Sequence, residues 1–158
     1  MSDKVPSADN QQERLNIKLT PEYIVGLTDG EGYFSVSATI NRSQGWNCHN
    51  VKMVFGIKLN AEDGRILYDL QGWFGCGKVL FRKDSRINFC DCLEFQVRDM
   101  KSLTQIIIPF FQKHQLKLPK RRKTFDKFVA LAKMKEAKLH IGPEGFLKAQ
   151  MLARQLHI

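Results

Sequence analysis

Over residues 23–34 an apolar helical pattern runs straight into a glycine-interleaved pair of acids, and an alternating strand pattern follows at once. Gly26 and Gly30 lie four apart, so both fall on one helix face and let a second backbone come close. Two such helices packed together would bring each copy of Glu31 near its twin at the end of the pair. Carboxylates gathered beside a basic surface suit one task above others, the holding of a divalent metal against phosphate.

The rest of the chain supplies the basic surface. Its 158 residues carry a formal charge of +9, which favours a polyanionic partner, although ribosomal and membrane-surface proteins share that property. At 43% hydrophobic and 26% charged residues the composition is that of one globular domain with a real core. No apolar run approaches the ~20 residues that cross a bilayer. Residues 1–14 are polar and lack the apolar segment of a secretory signal, which points to the interior of a cell or organelle and to no membrane partner. Cys48, Cys76, Cys90 and Cys92 lack the paired spacing of a zinc site and read as reduced thiols.

Composition and periodicity divide the chain into a mobile, polar tail over residues 1–18 and a single domain over 19–158. Thr20-Pro21-Glu22 opens the first helix with a hydroxyl cap and an early proline. Phe34, Val36, Ala38 and Ile40 alternate with small polar residues, and residues 43–46 carry a turn into a second strand with Val51, Met53, Phe55, Ile57 and Leu59 inward. A second helix follows, with Ile66, Leu67, Leu70 and Phe74 at helical spacing and Trp73 read as core. A second hairpin turns at residues 83–86. It presents Val79 and Phe81, then Phe89, Asp91, Leu93, Phe95 and Val97, to one face. A helix over about 100–114 is expected to kink or shorten at Pro109. Residues 117–120 read as a linker to a basic helix, and Gly142-Pro143-Glu144 starts the last one. Helix, hairpin, helix, hairpin and helices predict an α+β fold with one four-stranded antiparallel sheet backed by helices.

Residues 24–32, IVGLTDGEG, resemble the LAGLIDADG motif of homing endonucleases. The element order matches that family's α-β-β-α-β-β-α core, in which the sheet forms a DNA-binding saddle. The resemblance implies that Glu31, at the motif's second acid, coordinates a catalytic Mg²⁺ or another divalent cation such as Mn²⁺, with the Gly30 carbonyl as a further ligand. A solvated turn cap is the alternative for Glu31 taken alone. Asp29 is expected to anchor the helix end or its partner rather than bind metal. Lys120 matches a basic residue beside the scissile phosphates, or else is one phosphate contact among Lys117, Arg121, Arg122, Lys123 and Lys127. Lys58 is the candidate for the polar residue that orders water near the end of the second strand, with the alignment over residues 56–59 left open.

A β-ribbon can enter the major groove and offer alternate side chains to base edges. The outward positions Ser35, Ser37, Thr39, Asn41, Asn50, Lys52, Lys78, Leu80, Arg82, Glu94, Gln96 and Arg98 supply a suitable face, with Arg42 at a hairpin tip. An ordinary solvated sheet face would look as polar. Strand length favours the groove, because ~10 residues at ~3.3 Å each reach about 33 Å. That is roughly 10 base pairs. Arg121 and Arg122 are expected to contact phosphates. A single motif predicts a homodimer joined through Tyr23, Gly26, Leu27 and Gly30, cutting both strands of double-stranded DNA at a near-palindromic site. The rival functions are an intron maturase binding its own intron RNA and a non-catalytic DNA-binding module. The resemblance fits an organelle, chloroplast or mitochondrion, or a bacterial cytoplasm.

Overall fold

The computed structural model describes residues 18–43, 46–84, 86 and 90–157. Residues 1–17 of the expected tail, the centre of the first hairpin turn and residues 85 and 87–89, including Phe89, lie outside the described residues. Helix α1 (Pro21–Glu31) starts where Thr20 accepts the Tyr23 N–H at 3.2 Å. It buries Ile24, Val25, Thr28 and Asp29. The chain passes without a loop into β1 (Gly32–Ser43). That junction demands glycine, since a Cβ on Gly32 would stand 2.6 Å from the Thr28 carbonyl oxygen.

Strand β1 pairs antiparallel with β2 (Trp46–Asn60) in one unbroken register from Gly32 opposite Ile57 to Ser43 opposite Trp46. After α2 (Ile66–Phe74), strands β3 (Lys78–Arg82) and β4 (Cys92–Val97) complete a four-stranded antiparallel sheet in the order β1-β2-β4-β3. The remaining elements are α3 (Met100–Ser102), a π-helical turn (Leu103–Ile107), α4 (Ile108–Lys113), α5 (Pro119–Glu136) and α6 (Pro143–Leu156). The effect expected of Pro109 takes the form of that π-turn. Proline cannot donate the helical N–H that would close the preceding turn, and the chain relieves this with a wider register in which Ile108 N–H reaches the Leu103 carbonyl. The expected linker at 117–120 is shorter than foreseen. Pro119 opens α5 itself, so Lys120 sits in its first turn.

The helices cover one sheet face, and the core is aromatic. Phe34 meets Phe55, Phe125 and Phe128 with ring centroids 5.2 Å apart, and Phe111 at 5.7 Å. Val36, Val51, Met53, Ile57, Phe95 and Val97 are buried beside them, as their alternation predicts. Three apolar residues expected inside are not. Ile40 is 44% exposed and Phe81 59%, and both lie on the edge strands of the sheet, β1 and β3. Trp73 is 43% exposed at the rim of α2, edge-on to Phe74 and Phe110, because Ile66, Leu67, Leu70 and Phe74 already fill the buried stripe. The two hairpins are also unequal: β1 and β2 have 12 and 15 residues, β3 and β4 only 5 and 6. Among the described residues no helix is long and apolar enough to cross a membrane.

Candidate nuclease site

The end of α1 and the start of α5 cap one another. Asp29, 7% exposed, accepts the N–H of Lys117 at 2.8 Å and of Leu118 at 3.4 Å, so its carboxylate lies at the positive end of α5. The first turn of α5 returns the contact. Arg121 donates from Nε to the Asp29 carbonyl at 3.2 Å and from Nη2 to the Gly30 carbonyl at 3.3 Å. Those are carbonyls that the last turn of α1 cannot bond internally. The scaffold role expected of Asp29 thus has a geometry, while the two arginines expected on phosphates are engaged with backbone. Arg122 likewise donates to the Leu116 carbonyl at 3.1 and 3.0 Å. A guanidinium carries five N–H donors, so each keeps some for phosphate.

This double cap places Lys120 in an open cleft of about 420 Å³ with Asp29, Tyr33, Arg121, Thr124 and His157. Glu31 is exposed and makes no hydrogen bond or ion pair among the described residues. The β1–β2 ladder ends at Gly32 opposite Ile57, which leaves Glu31 and Lys58 as the flanking residues of the two chains. Among residues 56–59, Ile57 is buried in the core, Gly56 lies under Tyr33, Leu59 is half-buried and Lys58 is exposed. Among the described residues no three acid, histidine or cysteine side chains converge. One chain supplies one carboxylate and one carbonyl. That donor set fits Mg²⁺ or Mn²⁺, which take few protein ligands and complete their shells with phosphate and water.

The outer sheet face is polar along β1 and β2, where Ser37, Thr39, Asn41, Arg42, Lys52 and Lys58 are exposed and Ser35 and Asn50 half-buried. Lys78 and Arg98 are exposed at the second hairpin, and Leu80 is half-buried. Two expected base readers differ. Glu94 and Gln96 share this face but are 9% and 7% exposed. Tyr33 donates to Glu94 at 2.6 Å, Gln96 donates to the Tyr33 hydroxyl at 2.8 Å, and Arg82 pairs with Glu94 at 2.9 Å. Alternation identifies the face of a residue but not whether a larger neighbour lies over it. Tyr33 does so, and a Cβ on Gly56 would stand 2.4 Å from its ring. Strand parity (33, 35, 37) is the signal that could have placed Tyr33 on this face.

Burial and then the bond to Glu94 push the Tyr33 hydroxyl up to about 12. Burial works to raise the Glu94 carboxyl, but the bonds from Tyr33, Arg82 and Gln96 outweigh it and hold the group below the usual glutamate range. The signs are opposite in pH. Tyr33 stabilises the fold fully below its ordinary value and loses that contribution as pH rises through about 12. Glu94 contributes above the ordinary glutamate value and loses it as pH falls below. In a spectrophotometric titration of the three tyrosines, the step near pH 12 should vanish in Tyr33→Phe; its persistence would show that another tyrosine carries it.

Residues 24–130 match the family model for LAGLIDADG endonuclease, and the chain belongs to that family. It is 41% identical over 101 residues to the probable intron-encoded endonuclease 2 of Neurospora crassa, and 29% identical over 102 residues to the probable intron-encoded DNA endonuclease 1 of Mycosarcoma maydis. These matches take in 62% and 63% of this chain but only 21% and 33% of those relatives. Among solved structures, the homing endonuclease I-TnaI superposes with a TM-score of 0.74 at 34% identity, covering 88% of both chains. The LAGLIDADG homing endonuclease I-LtrWI, bound to target DNA, superposes at 0.77 and 26% identity, over 88% of this chain and 44% of its own.

Proposed function

We propose that the protein is a site-specific endonuclease that hydrolyses both strands of double-stranded DNA at a long, near-palindromic site, as a homodimer using a divalent cation. One observation carries this most: an exposed carboxylate with no partner among the described residues, Glu31, closes a helix whose outer face is itself open. Tyr23 is 40% exposed, and among the described residues nothing beyond the helix's own backbone lies within 4 Å of a Cβ built on Gly26 or Gly30. A second α1 laid on that face would cover Tyr23, Gly26, Leu27 and Gly30 and bring the two Glu31 side chains together.

Glu31 and the Gly30 carbonyl would hold the ion, which when bound activates water and stabilises the leaving 3′ oxygen. Lys120 would steady charge on the phosphate undergoing attack. Lys58 would order the attacking water. The exposed polar residues of β1 and β2 read base edges, while Arg82, Glu94 and Gln96 hold Tyr33 rigid under the DNA. The intron-encoded relatives suit a gene carried in an organelle or a bacterium.

The test is incubation with Mg²⁺ and a duplex spanning the intron-less insertion site. Double-strand cuts with short 3′ overhangs support the enzyme. Binding without cutting would reduce the protein to a DNA-binding module, and stimulated splicing without cutting would make it a maturase. Dimerisation has its own test in Gly26→Leu. With no neighbour to meet, the leucine gains about 0.8 kcal/mol of helix propensity within one chain. Across a close helix pair it cannot fit. Sedimentation equilibrium should show a folded monomer that no longer makes double-strand cuts; a dimer of unchanged affinity would move the interface elsewhere.

A further inference from the structure

We propose that Arg121 is a competing cation at the metal-binding end of the motif: its guanidinium occupies the Gly30 carbonyl, and its departure to a DNA phosphate frees that oxygen for the divalent ion. The inference rests on the proposed metal role of Glu31 and Gly30 and adds a coupling between metal and DNA binding.

Three features of the junction carry it. Arg121 bonds the two carbonyls at the negative end of α1, a place that attracts any cation. A guanidinium and a divalent ion on one carbonyl would stand only a few ångströms apart, and like charges so close oppose each other strongly. Each therefore weakens the other's hold. The bonds are also long, at 3.2 and 3.3 Å against a usual 2.9–3.0 Å, and so easily given up. The firmer tie between α1 and α5 is the Asp29 carboxylate on Lys117 N–H at 2.8 Å, which stays in place when Arg121 swings away. Finally, Arg121 is half-buried at the wall of the cleft that also holds Lys120, Thr124 and His157. A phosphate arriving there would offer the guanidinium a charged, two-oxygen partner in exchange for neutral carbonyls. Without DNA the motif keeps its own cation; with DNA the cation moves to the backbone and the oxygen opens.

Manganese binding to the full-length protein without DNA, read by the electron paramagnetic resonance of free Mn²⁺, tests this directly. Arg121→Gln and Arg121→Met keep an unbranched aliphatic stem and remove the charged guanidinium. Either should bind Mn²⁺ roughly tenfold more tightly than the wild type, within the ordinary range of coupling between sites. Adding Glu31→Gln should abolish the gain. Equal or weaker binding in a folded Arg121 variant overturns the proposal. Loss of the fold in both variants overturns it too, because Asp29 would then not hold the junction alone. If Glu31→Gln leaves Mn²⁺ binding unchanged in every background, the metal role of Glu31 fails instead.

Discussion

Replacing Glu31 with glutamine should lower the double-strand cleavage rate about 10³-fold or more, since a metal supplies several kcal/mol of transition-state stabilisation and each 1.4 kcal/mol is tenfold. DNA binding should survive. Glutamine keeps the size of the side chain and its carbonyl oxygen but loses the charge that draws a cation. Glu31 has no partner among the described residues, so its replacement breaks no structural contact and the fold should be unaffected. That separation makes the experiment decisive. A gel-shift affinity within a few fold of wild type beside absent cleavage assigns the carboxylate to chemistry. Cleavage within tenfold of wild type would remove Glu31 from the metal and leave it a solvated cap.

The neighbouring acid should behave in the opposite way. Asp29→Ala is expected to cost about 3 kcal/mol of stability, from two charge-assisted bonds lost at a helix start and two N–H groups left unpaired. For a chain of this size that lowers the melting temperature by roughly 10 °C. Asp29→Asn, which keeps one acceptor oxygen, should lose about half as much. Metal affinity should change little in either variant while the protein is folded. A melting temperature within 2 °C of wild type for Asp29→Ala would mean that Arg121 alone ties α1 to α5. Two acids two residues apart would thus divide their labour, one carrying the fold and the other the reaction.

Much of the architecture was legible because it rests on periodicity. The two-residue alternation of β1 and β2 places Phe34, Val36, Val51, Met53, Phe55 and Ile57 inward, and each is buried. The failures share a cause. Ile40 and Phe81 alternate correctly but lie on the sheet's edge strands, and Trp73 falls beside a stripe already filled. Periodicity reports direction, not how far the opposing layer reaches. The candidate site divides along the same line. Glu31 could be named from the motif, and Lys58 and Lys120 only from what the family resemblance implies. The use of Arg121 on the α1 carbonyls, and of Glu94 and Gln96 beneath Tyr33, depends on elements about 60 to 90 residues apart in the chain.

By itself, then, the sequence determined the family, the order of helices and strands, the single motif and the basic charge, all of which depend on residues near one another in the chain. The tertiary structure decided which polar groups are free to act. The family resemblance assigned Glu31 to the metal and Asp29 to the scaffold, but gave no geometry for either. Only the packing of α5 against the end of α1 buries Asp29 among N–H donors and leaves Glu31 exposed, with no partner among the described residues. Whether a carboxylate braces the fold or awaits a cation depends on its partners across space.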